Sequence, residues 1–303
     1  MKIKDLPQFP DFTEISLEHK GIITEYLKKS QPQISEMNFT EMFIWRNKNG
    51  SFVCRLRDNV CLLEEKEKFF YPPIGIDHPS ETMREMLEWQ EKTQRTPRIF
   101  GLTDRDTGLS SWLASKYAIE ENRDCADYVY LTRDLIELKG HRYDGKRNLI
   151  KQFGKNYRFE YFDMTRELIP ECLAFQKKWC EAHGCIQNHP LRRENIAAQE
   201  LLNNFELLDV FGGVIKIDGE VQAFTAGSEL NPETAVIHLE KGNPNIKGIY
   251  QTINRMFCEN RLAGYTYVNR EQDMGVEGLR KAKMSYHPHH LVNKKMLMLK
   301  KQY

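Results

Sequence analysis

The hydrophobic positions along the first half of the chain follow two different periods. Residues 17–30 place apolar side chains three and four residues apart, which predicts an amphipathic helix, and a second helical stretch follows Ser35, a candidate N-cap. Residues 51–65 instead alternate apolar and polar on both sides of Asp58-Asn59. That alternation predicts two strands joined by a tight turn.

The next stretch returns to the helical period and then to strands. Residues 79–93 and 106–117 show apolar spacing typical of helices, and residues 98–103 (RIFGLT) form a predicted strand between them. Residues 127–138 (DYVYLTRDLIEL) alternate and predict another strand.

The second half has the same order of helices and strands, and its turns and helix ends are marked more clearly. Residues 144–157 predict a short basic helix that ends at Gly154, and residues 166–183 predict a longer helix. Residues 205–242 predict a run of antiparallel strands, and residues 246–264 predict an amphipathic helix before a further strand.

This order of elements predicts an α+β fold. Helices, three or four antiparallel strands, and then alternating helices and strands occur twice, which favours two domains, each a mixed, mostly antiparallel sheet flanked by helices. We place the N-terminal domain at residues 1–140 and the C-terminal domain, with the predicted active cleft, at residues 141–303.

Composition and charge exclude several classes of function. The 303 residues contain 44 Lys and Arg against 43 Asp and Glu, so the formal charge of +1 provides no global field for DNA. No apolar run reaches the roughly 18 residues of a membrane span, and the first residues lack the apolar core of a signal peptide. The sequence predicts a cytoplasmic protein without a transmembrane segment or a DNA partner.

The cysteines predict reduced thiols and no metal site. There are seven, an odd number, without a CxxC pair, which suits a reducing compartment better than a disulfide framework. Cys180, His183, Cys185 and His189 offer four ligands within ten residues, but their spacing matches no usual zinc pattern.

The segment YVNREQDMGVEGLRKAKMSYHPHH, residues 267–290, has two interpretations. In the first it carries a solvated helix with Asp273 as N-cap and Glu277 and Lys281 as an i,i+4 pair. In the second it is a site, because Arg270 and Glu271 follow directly after a predicted strand, where clefts of α/β sheets open.

Residues 123–153 and 267–288 resemble bacterial proteins related to the C-terminal domain of phosphatidylglycerol lysyltransferase. That family resembles tandem GNAT-type acyltransferases and, more distantly, Fem-type peptidoglycan aminoacyltransferases. The resemblance implies two GNAT-like domains and transfer of an acyl or aminoacyl group from a thioester or a charged tRNA. The sequence shows no transmembrane half, so lipid lysylation by this chain alone is not expected.

The resemblance also implies particular residues. The functionally important Asp-Leu-Met-Arg run of the lysyltransferases corresponds here to His238-Leu239-Glu240-Lys241, which keeps charged residues but shifts their places. The later Gly-Leu-Arg and lysine of the family fall on Gly278, Leu279, Arg280 and Lys283.

A donor that carries phosphates needs free amides or cations. GNAT-like domains hold a pyrophosphate at a helix N-terminus after a splayed strand, and HLEKGNPNIKGIYQ offers a strand, a loop and a helix start. The basic helix adds four cations that could contact phosphates, Arg142, Lys146, Arg147 and Lys151. The alternatives are a plain turn for this loop and a solvated face for the basic helix. The predicted donor-binding residues are Lys241, Asn243, Asn245, Lys247, Gly248, Lys146 and Arg147.

Acyl transfer to an amine or hydroxyl requires a proton acceptor, an oxyanion donor and a proton for the leaving group. Glu240 and Glu271 are the candidate proton acceptors, and Arg280, Lys283 or amides near Gly248 the candidate oxyanion donors. Tyr286 is the candidate proton donor to a leaving thiolate or ribose oxygen.

The predicted function is therefore an acyltransferase or aminoacyltransferase. It has no covalently bound cofactor and uses acyl-CoA or aminoacyl-tRNA as co-substrate, with a small molecule, a lipid or a peptide as acceptor. The alternative is a degenerate GNAT-like protein that binds tRNA or a protein partner. The altered Asp-Leu-Met-Arg run favours the alternative, whereas the acids and cations at two strand ends favour the enzyme.

Overall fold

The computed structural model describes residues 2–106 and 111–300. The chain divides into two compact units. The first comprises Met1–Asp127, Gln272–Glu277 and Leu291–Tyr303, and the second comprises Tyr128–Glu271 and Gly278–His290. Part of the predicted helix 106–117, residues 107–110, lies outside the described residues.

The elements follow the alternation of helices and strands seen in the sequence. The α-helices of the described residues are α1 (Lys20–Ser30), α2 (Phe39–Asn49), α3 (Pro79–Lys92), α4 (Ser111–Lys116), α5 (Thr132–Glu137), α6 (Asp144–Asn156), α7 (Ile169–Ala182), α8 (His189–Asn203), α9 (Ile249–Arg261) and α10 (Glu277–Met284). The strands are β1 (Thr13–Glu14), β2 (Ser51–Leu56), β3 (Asn59–Glu64), β4 (Phe69–Phe70), β5 (Arg98–Leu102), β6 (Tyr117–Glu121), β7 (Asp127–Leu131), β8 (Phe159–Asp163), β9 (Phe211–Ile217), β10 (Glu220–Asn231), β11 (Thr234–Gly242), β12 (Tyr267–Asn269), β13 (His290–Val292) and β14 (Lys295–Leu299).

Each sheet has seven strands and mixes antiparallel with parallel pairing. The first has the order β1-β2-β3-β4-β5-β14-β6, in which β4 and β5 are parallel. The second has the order β13-β7-β12-β11-β10-β9-β8, in which β11 and β12 are parallel. The predicted fold class, α+β with two mixed, mostly antiparallel sheets flanked by helices, is confirmed.

The core of the second unit fixes α9 and α6 against the sheet. Ile249 and Ile253 of α9, Phe153 of α6 and Ile215 of β9 are fully buried in one cluster. Fully burying an aliphatic or aromatic side chain of this size stabilises a fold by about 1.5–3 kcal/mol. This packing holds the N-terminal end of α9 in place next to the end of β11.

The predicted boundary at residue 140 differs from the division in the structure. The first unit ends at Asp127 and regains residues 272–277 and 291–303 from the other end of the chain. The physical reason is strand pairing, because the C-terminal strand β14 lies between β5 and β6 in the first sheet. A single cut in the sequence cannot describe such a discontinuous unit.

A buried lysine also attaches the returning segments, residues 272–277 and 291–303, to the rest of the first unit. Lys294 is completely buried, and its Nζ lies 2.7 Å from Oδ1 of Asp127 and 2.5 Å from Oε2 of Glu36. Ser35 Oγ and Gln272 Oε1 lie 3.4 Å from the same nitrogen. Burial lowers the pKa of Lys294, but the two carboxylates raise it more, so the pKa is raised overall and the lysine is charged.

Several local predictions change because tertiary contacts override them. Residues 127–138 form strand β7 and then helix α5 rather than one strand, and α6 continues past Gly154 to Asn156. Ser35 does not cap α2, since Asn38 accepts the hydrogen bond from the amide of Thr40. Ser35 instead donates its amide and hydroxyl to Asp127.

The turn after α7 contains a disulfide, against the prediction that all the thiols are reduced. Cys180 and Cys185 are joined, with their Cα atoms 5.2 Å apart. The turn brings them together, since the amide of Cys185 donates to the carbonyl of Cys180.

Among the described residues, no helix is both long enough and apolar enough to cross a membrane.

Candidate active site

The candidate active site lies in the second unit, where two parallel strands separate. The pairing of β11 with β12 covers three residue pairs and ends at Val236 and Asn269. Beyond that pair β11 continues to Gly242, whereas the chain leaves β12 at Arg270. We call this place, with Ile237–Gly242 on one side and Arg270 and Glu271 on the other, the fork.

An ion pair crosses the fork. Nη2 of Arg270 lies 3.1 Å from Oε1 of Glu240, and each side chain is only 14% exposed. Nδ2 of Asn254, on α9, donates to the other carboxylate oxygen of Glu240 at 2.9 Å. In the described part of the chain, Nη1 of Arg270 and Oδ1 of Asn254 are buried without a hydrogen-bond partner.

Aromatic rings and a second cation surround Arg270. Its guanidinium carbon lies 4.9 Å from the ring centre of Tyr286 and 5.7 Å from that of Tyr130. Nζ of Lys146 lies 4.1 Å from the Tyr286 ring centre and 2.6 Å from Oγ of Ser285. Glu240, Arg270, Tyr286 and Lys146 thus form one connected cluster.

Burial and neighbouring charges set the protonation of this cluster. Burial lowers the pKa of Arg270, but the Glu240 carboxylate together with Tyr130, Tyr286 and Cys258 raises it more, so this pKa is raised overall. Burial raises the pKa of Tyr286, which stays a neutral phenol at pH 7. Burial, and then the charge of Arg270, lower the pKa of Lys146.

Glu271 lies at the start of the other arm of the fork and has a different partner from Glu240. Its Oε1 lies 3.5 Å from Nδ1 of the buried His238, whose Nε2 lies 2.8 Å from Oγ of Ser228. The backbone of Glu271 has φ of +59°, and its carbonyl, like that of Arg270, accepts from Nζ of Lys283. Lys283 therefore holds the turn after β12 through backbone oxygens.

The predicted donor loop is ordered by its own side chains. Asn243 accepts from the amide of Asn245 and donates to Gln222 of β10. Lys247 and Asn245 are exposed. Lys241 is buried instead, where it pairs with Glu194 and lies 4.1 Å from the Trp179 ring centre.

Gly248 starts α9 in a conformation and a space that only glycine fits. Its φ is +90°, and a Cβ atom would lie 2.4 Å from the carbonyl oxygen of Leu149 in α6. We expect Gly248→Ala to lower the free energy of unfolding by about 2 kcal/mol or more, because backbone strain of order 1–3 kcal/mol adds to the clash. Urea denaturation measures the loss.

Gly264→Ala is the matched control, since a Cβ there meets nothing within 4 Å. Its unfolding midpoint should stay close to that of the wild type. Equal midpoints for both variants would contradict the close packing of α6 against the start of α9.

The basic helix α6 uses two of its predicted phosphate ligands within the protein. Lys146 contacts Ser285 and Tyr286, and Arg147 donates to the carbonyls of Leu138 and Gly140 and pairs with Asp144. Lys151 is exposed. Exposed cations therefore remain on this helix for a polyanion.

Asp273 does not cap α10, contrary to the prediction. The helix begins four residues later, at Glu277, because the intervening turn leads the chain away from the carboxylate. Asp273 belongs to the first unit, where its Oδ1 accepts from the amide of Gly275 and its Oδ2 lies 3.4 Å from Nη1 of Arg123. Arg280 is half-buried on α10.

Three residues in or beside this cluster have no chemical role in the sequence analysis. The sequence predicts Arg270 only at a strand end, and it predicts Tyr130 and Asn254 only as parts of a strand and a helix. For Asn254 the signal was a polar residue directly after Ile253 on an apolar helix face. No local signal marks Tyr130, because strands commonly contain tyrosine.

Comparisons with known proteins agree with the resemblance stated from the sequence. The family model described as "Phosphatidylglycerol lysyltransferase, C-terminal" matches residues 27–297. A conserved protein of unknown function from Bacteroides thetaiotaomicron is 32% identical, with a TM-score of 0.90, and the match covers 95% of this chain and 99% of that one. No curated protein matches.

Two solved structures at lower identity share the fold. The C-terminal domain of a putative lysylphosphatidylglycerol synthetase from Agrobacterium fabrum is 13% identical with a TM-score of 0.67, covering 93% of this chain and 92% of that one. L-PGS from Bacillus licheniformis is 14% identical with a TM-score of 0.66, covering 98% and 94%. The family match over most of the chain is decisive: this protein belongs to the family of the phosphatidylglycerol lysyltransferase C-terminal domain.

Proposed function

We propose that the second unit transfers an acyl or aminoacyl group from acyl-CoA or aminoacyl-tRNA to an amine or hydroxyl at the fork. The observation that carries the proposal is the buried Nη1 of Arg270, which lacks a hydrogen-bond partner within the described residues. Leaving a buried donor unsatisfied costs about 1–3 kcal/mol. An oxygen of the substrate would supply the missing acceptor.

Arg270 suits the role of oxyanion donor. Glu240, which itself accepts from Asn254, pairs with its guanidinium, and the rings of Tyr286 and Tyr130 lie close by. A donor fixed in this way needs no reorganisation when negative charge develops on the carbonyl oxygen of the tetrahedral intermediate. This role replaces Arg280 and Lys283, since Lys283 is bonded to backbone carbonyls.

The remaining predicted residues supply proton transfer. Glu271, beside His238, accepts the proton that the attacking amine or hydroxyl loses as the new C–N or C–O bond forms. Tyr286, kept neutral by burial, protonates the ribose oxygen that leaves when the ester bond of an aminoacyl-tRNA breaks, whereas the thiolate that leaves an acyl-CoA is a weaker base than the Tyr286 phenolate and departs without that proton. Glu240 orients Arg270 and is not itself required to accept a proton.

The donor's phosphates are assigned to the loop before α9 and to α6. Asn243, Asn245, Lys247 and the amides after Gly248 lie at the N-terminal end of a helix, which favours anions. Because Lys146 and Arg147 already have partners within the protein, the exposed Lys151 is the better phosphate ligand on α6.

Donor binding is tested first, and transfer second. A thermal-shift screen of acetyl-CoA, longer acyl-CoAs and aminoacyl-tRNA identifies the donor, because a ligand at 100 times its Kd stabilises by about 2.7 kcal/mol. Release of free CoA or tRNA in the presence of amine, peptide and lipid acceptors then reports turnover.

Two conservative variants separate chemistry from folding. Arg270→Lys should lower kcat/KM by about 10²–10³-fold, because lysine lacks the planar fork that places Nη1. Glu271→Gln should lower it by about 10²-fold. Glu206→Gln, which removes an exposed carboxylate paired 3.6 Å from Arg166, should leave turnover within twofold.

A specific result would favour the binding-only alternative. If the protein binds a donor in the thermal-shift screen but releases no product with any acceptor, the transferase proposal fails. Burial of Lys241 against Glu194 is the feature consistent with that outcome, since a cation at the family's functional run is removed from the surface.

A further inference from the structure

The disulfide between Cys180 and Cys185 closes a short turn between α7 and α8. The other cysteines of the chain are free thiols, so this bond is not part of a disulfide framework. A cross-link between residues so close in sequence removes less entropy from the unfolded chain than one that closes a long loop. Its stabilising role is therefore small, and a redox role is the alternative.

The closed turn fixes the side chain that precedes it, Trp179. His183, inside the turn, stacks on the Trp179 ring with the ring centres 3.8 Å apart and an angle of 15° between the planes. The amide of His183 donates to the carbonyl of Trp179 at 3.1 Å, and Nδ1 of the imidazole lies 2.7 Å from the same oxygen. The Trp179 ring is thus held by a residue whose own place depends on the closed turn.

The Trp179 ring in turn contacts Lys241, near the end of β11. Nζ of Lys241 lies 4.1 Å from the ring centre, and it pairs with Glu194 of α8. The Lys241 side chain is only 5% exposed, and the attraction between a cation and an aromatic ring is stronger away from water. One series of contacts within the second unit therefore leads from the disulfide through His183 and Trp179 to Lys241.

We propose that Cys180 and Cys185 form a reversible redox site that controls the exposure of Lys241. With the disulfide closed, His183 and Trp179 hold Lys241 in its buried place. With the disulfide reduced, the turn is free to open, His183 leaves the Trp179 ring, and Lys241 becomes accessible to solvent. The chemical partner of the site is a dithiol reductant.

The reaction is a thiol–disulfide exchange beside an exposed turn. Residues 186–190 are exposed, and Cys180, 9% exposed, is more accessible than Cys185 at 2%. A thiolate of the dithiol attacks Sγ of Cys180, the S–S bond breaks, and Cys185 leaves as a thiolate. The second thiol of the reductant then displaces Cys180 from the mixed disulfide. Two electrons and two protons pass to the cysteines, and the dithiol becomes a disulfide.

Exposure of Lys241 has a consequence that rests on the proposed function. Lys241 lies directly before the loop assigned to the donor's phosphates, so its release would add a cation there and strengthen donor binding. The redox site itself requires neither donor nor turnover. A protein that responds to reductant but transfers no group would keep this proposal and lose the transferase.

Amine labelling followed by mass-spectrometric peptide mapping measures the exposure of Lys241. The full chain is kept oxidised or treated with dithiothreitol, and its thiols are counted in denaturant, with the two bonded cysteines appearing only after reduction. Reduction should raise the labelling rate of Lys241 about fivefold or more, because the turn then opens locally, while the exposed Lys151 should stay within about twofold.

Serine variants separate this disulfide from the other thiols. Cys180→Ser with Cys185→Ser should label at Lys241 as fast as the reduced wild type, with or without dithiothreitol. Cys125→Ser, which removes a free thiol of the first unit, should respond to dithiothreitol like the wild type.

A further variant keeps the test valid if the double serine variant loses stability. His183→Ala leaves both cysteines in place and should raise the Lys241 rate about threefold even in the oxidised protein, since no ring then stacks on Trp179. Three results would overturn the proposal: a full set of free thiols in the oxidised protein, a Lys241 rate that reduction leaves unchanged, or an equal acceleration at Lys151.

Discussion

Replacing Arg270 by methionine is expected to lower the free energy of unfolding by about 3–5 kcal/mol and to abolish transfer. The variant leaves Glu240, 14% exposed, without its cation. Removing one partner of a buried ion pair is costly because the other charge stays desolvated and uncompensated. Urea denaturation of the full chain, followed by a probe in the second unit such as Trp179 fluorescence, measures the loss.

A double variant separates the stability of the pair from its chemistry. Arg270→Met with Glu240→Leu replaces both charges by apolar groups, and should recover stability to within about 1.5 kcal/mol of the wild type. It should remain inactive, since no donor faces the substrate carbonyl. A double variant as unstable as Arg270→Met would show that the cost arises from packing rather than from the unpaired carboxylate.

Replacing Lys294 by methionine is expected to destabilise the first unit by about 3–5 kcal/mol at pH 7. The substitution leaves the fully buried Asp127 and the 18% exposed Glu36 without a cation. It also loosens the returning segments 272–277 and 291–300, which Lys294 helps to attach. Thermal unfolding of the full chain at several pH values measures the effect.

The pH dependence of this effect has a defined sign. Burial raises the pKa of Glu36, and Lys294 partly opposes that rise. A carboxyl whose folded pKa is raised contributes stability below its unfolded pKa, near 4.3, and loses it as the pH rises through the folded pKa. Without Lys294 the rise is larger, so the deficit of the variant should grow from pH 5 to pH 8.

The neighbouring lysine provides the control. Lys295 pairs with Asp104, whose side chain is 82% exposed. Exposed pairs of this kind contribute about 0–1 kcal/mol, so Lys295→Met should change stability little at any pH. Similar losses for the two lysine variants would contradict the special position of Lys294.

Local sequence patterns predicted most of the elements around the site. The hairpin at Asp58-Asn59, the strands within residues 205–242 and the helix after Gly248 follow from periodicity and turn residues, which act over a few neighbours. The same patterns placed Glu240 and Arg270 at strand ends. Helices, strands and turns of this kind are fixed by the backbone preferences of neighbouring residues and by the need of each helix or strand to bury its apolar face.

The sequence by itself therefore determined the α+β class, the family, and the strand ends that carry the acids and cations. Only the tertiary structure decided that Glu240 pairs with Arg270, that Lys241 is buried against Glu194, and that the C-terminal strand lies in the first sheet. The reason is physical. Pairings between residues far apart in the chain depend on strand register and on which charges can share a buried space, and neither is encoded in a local pattern.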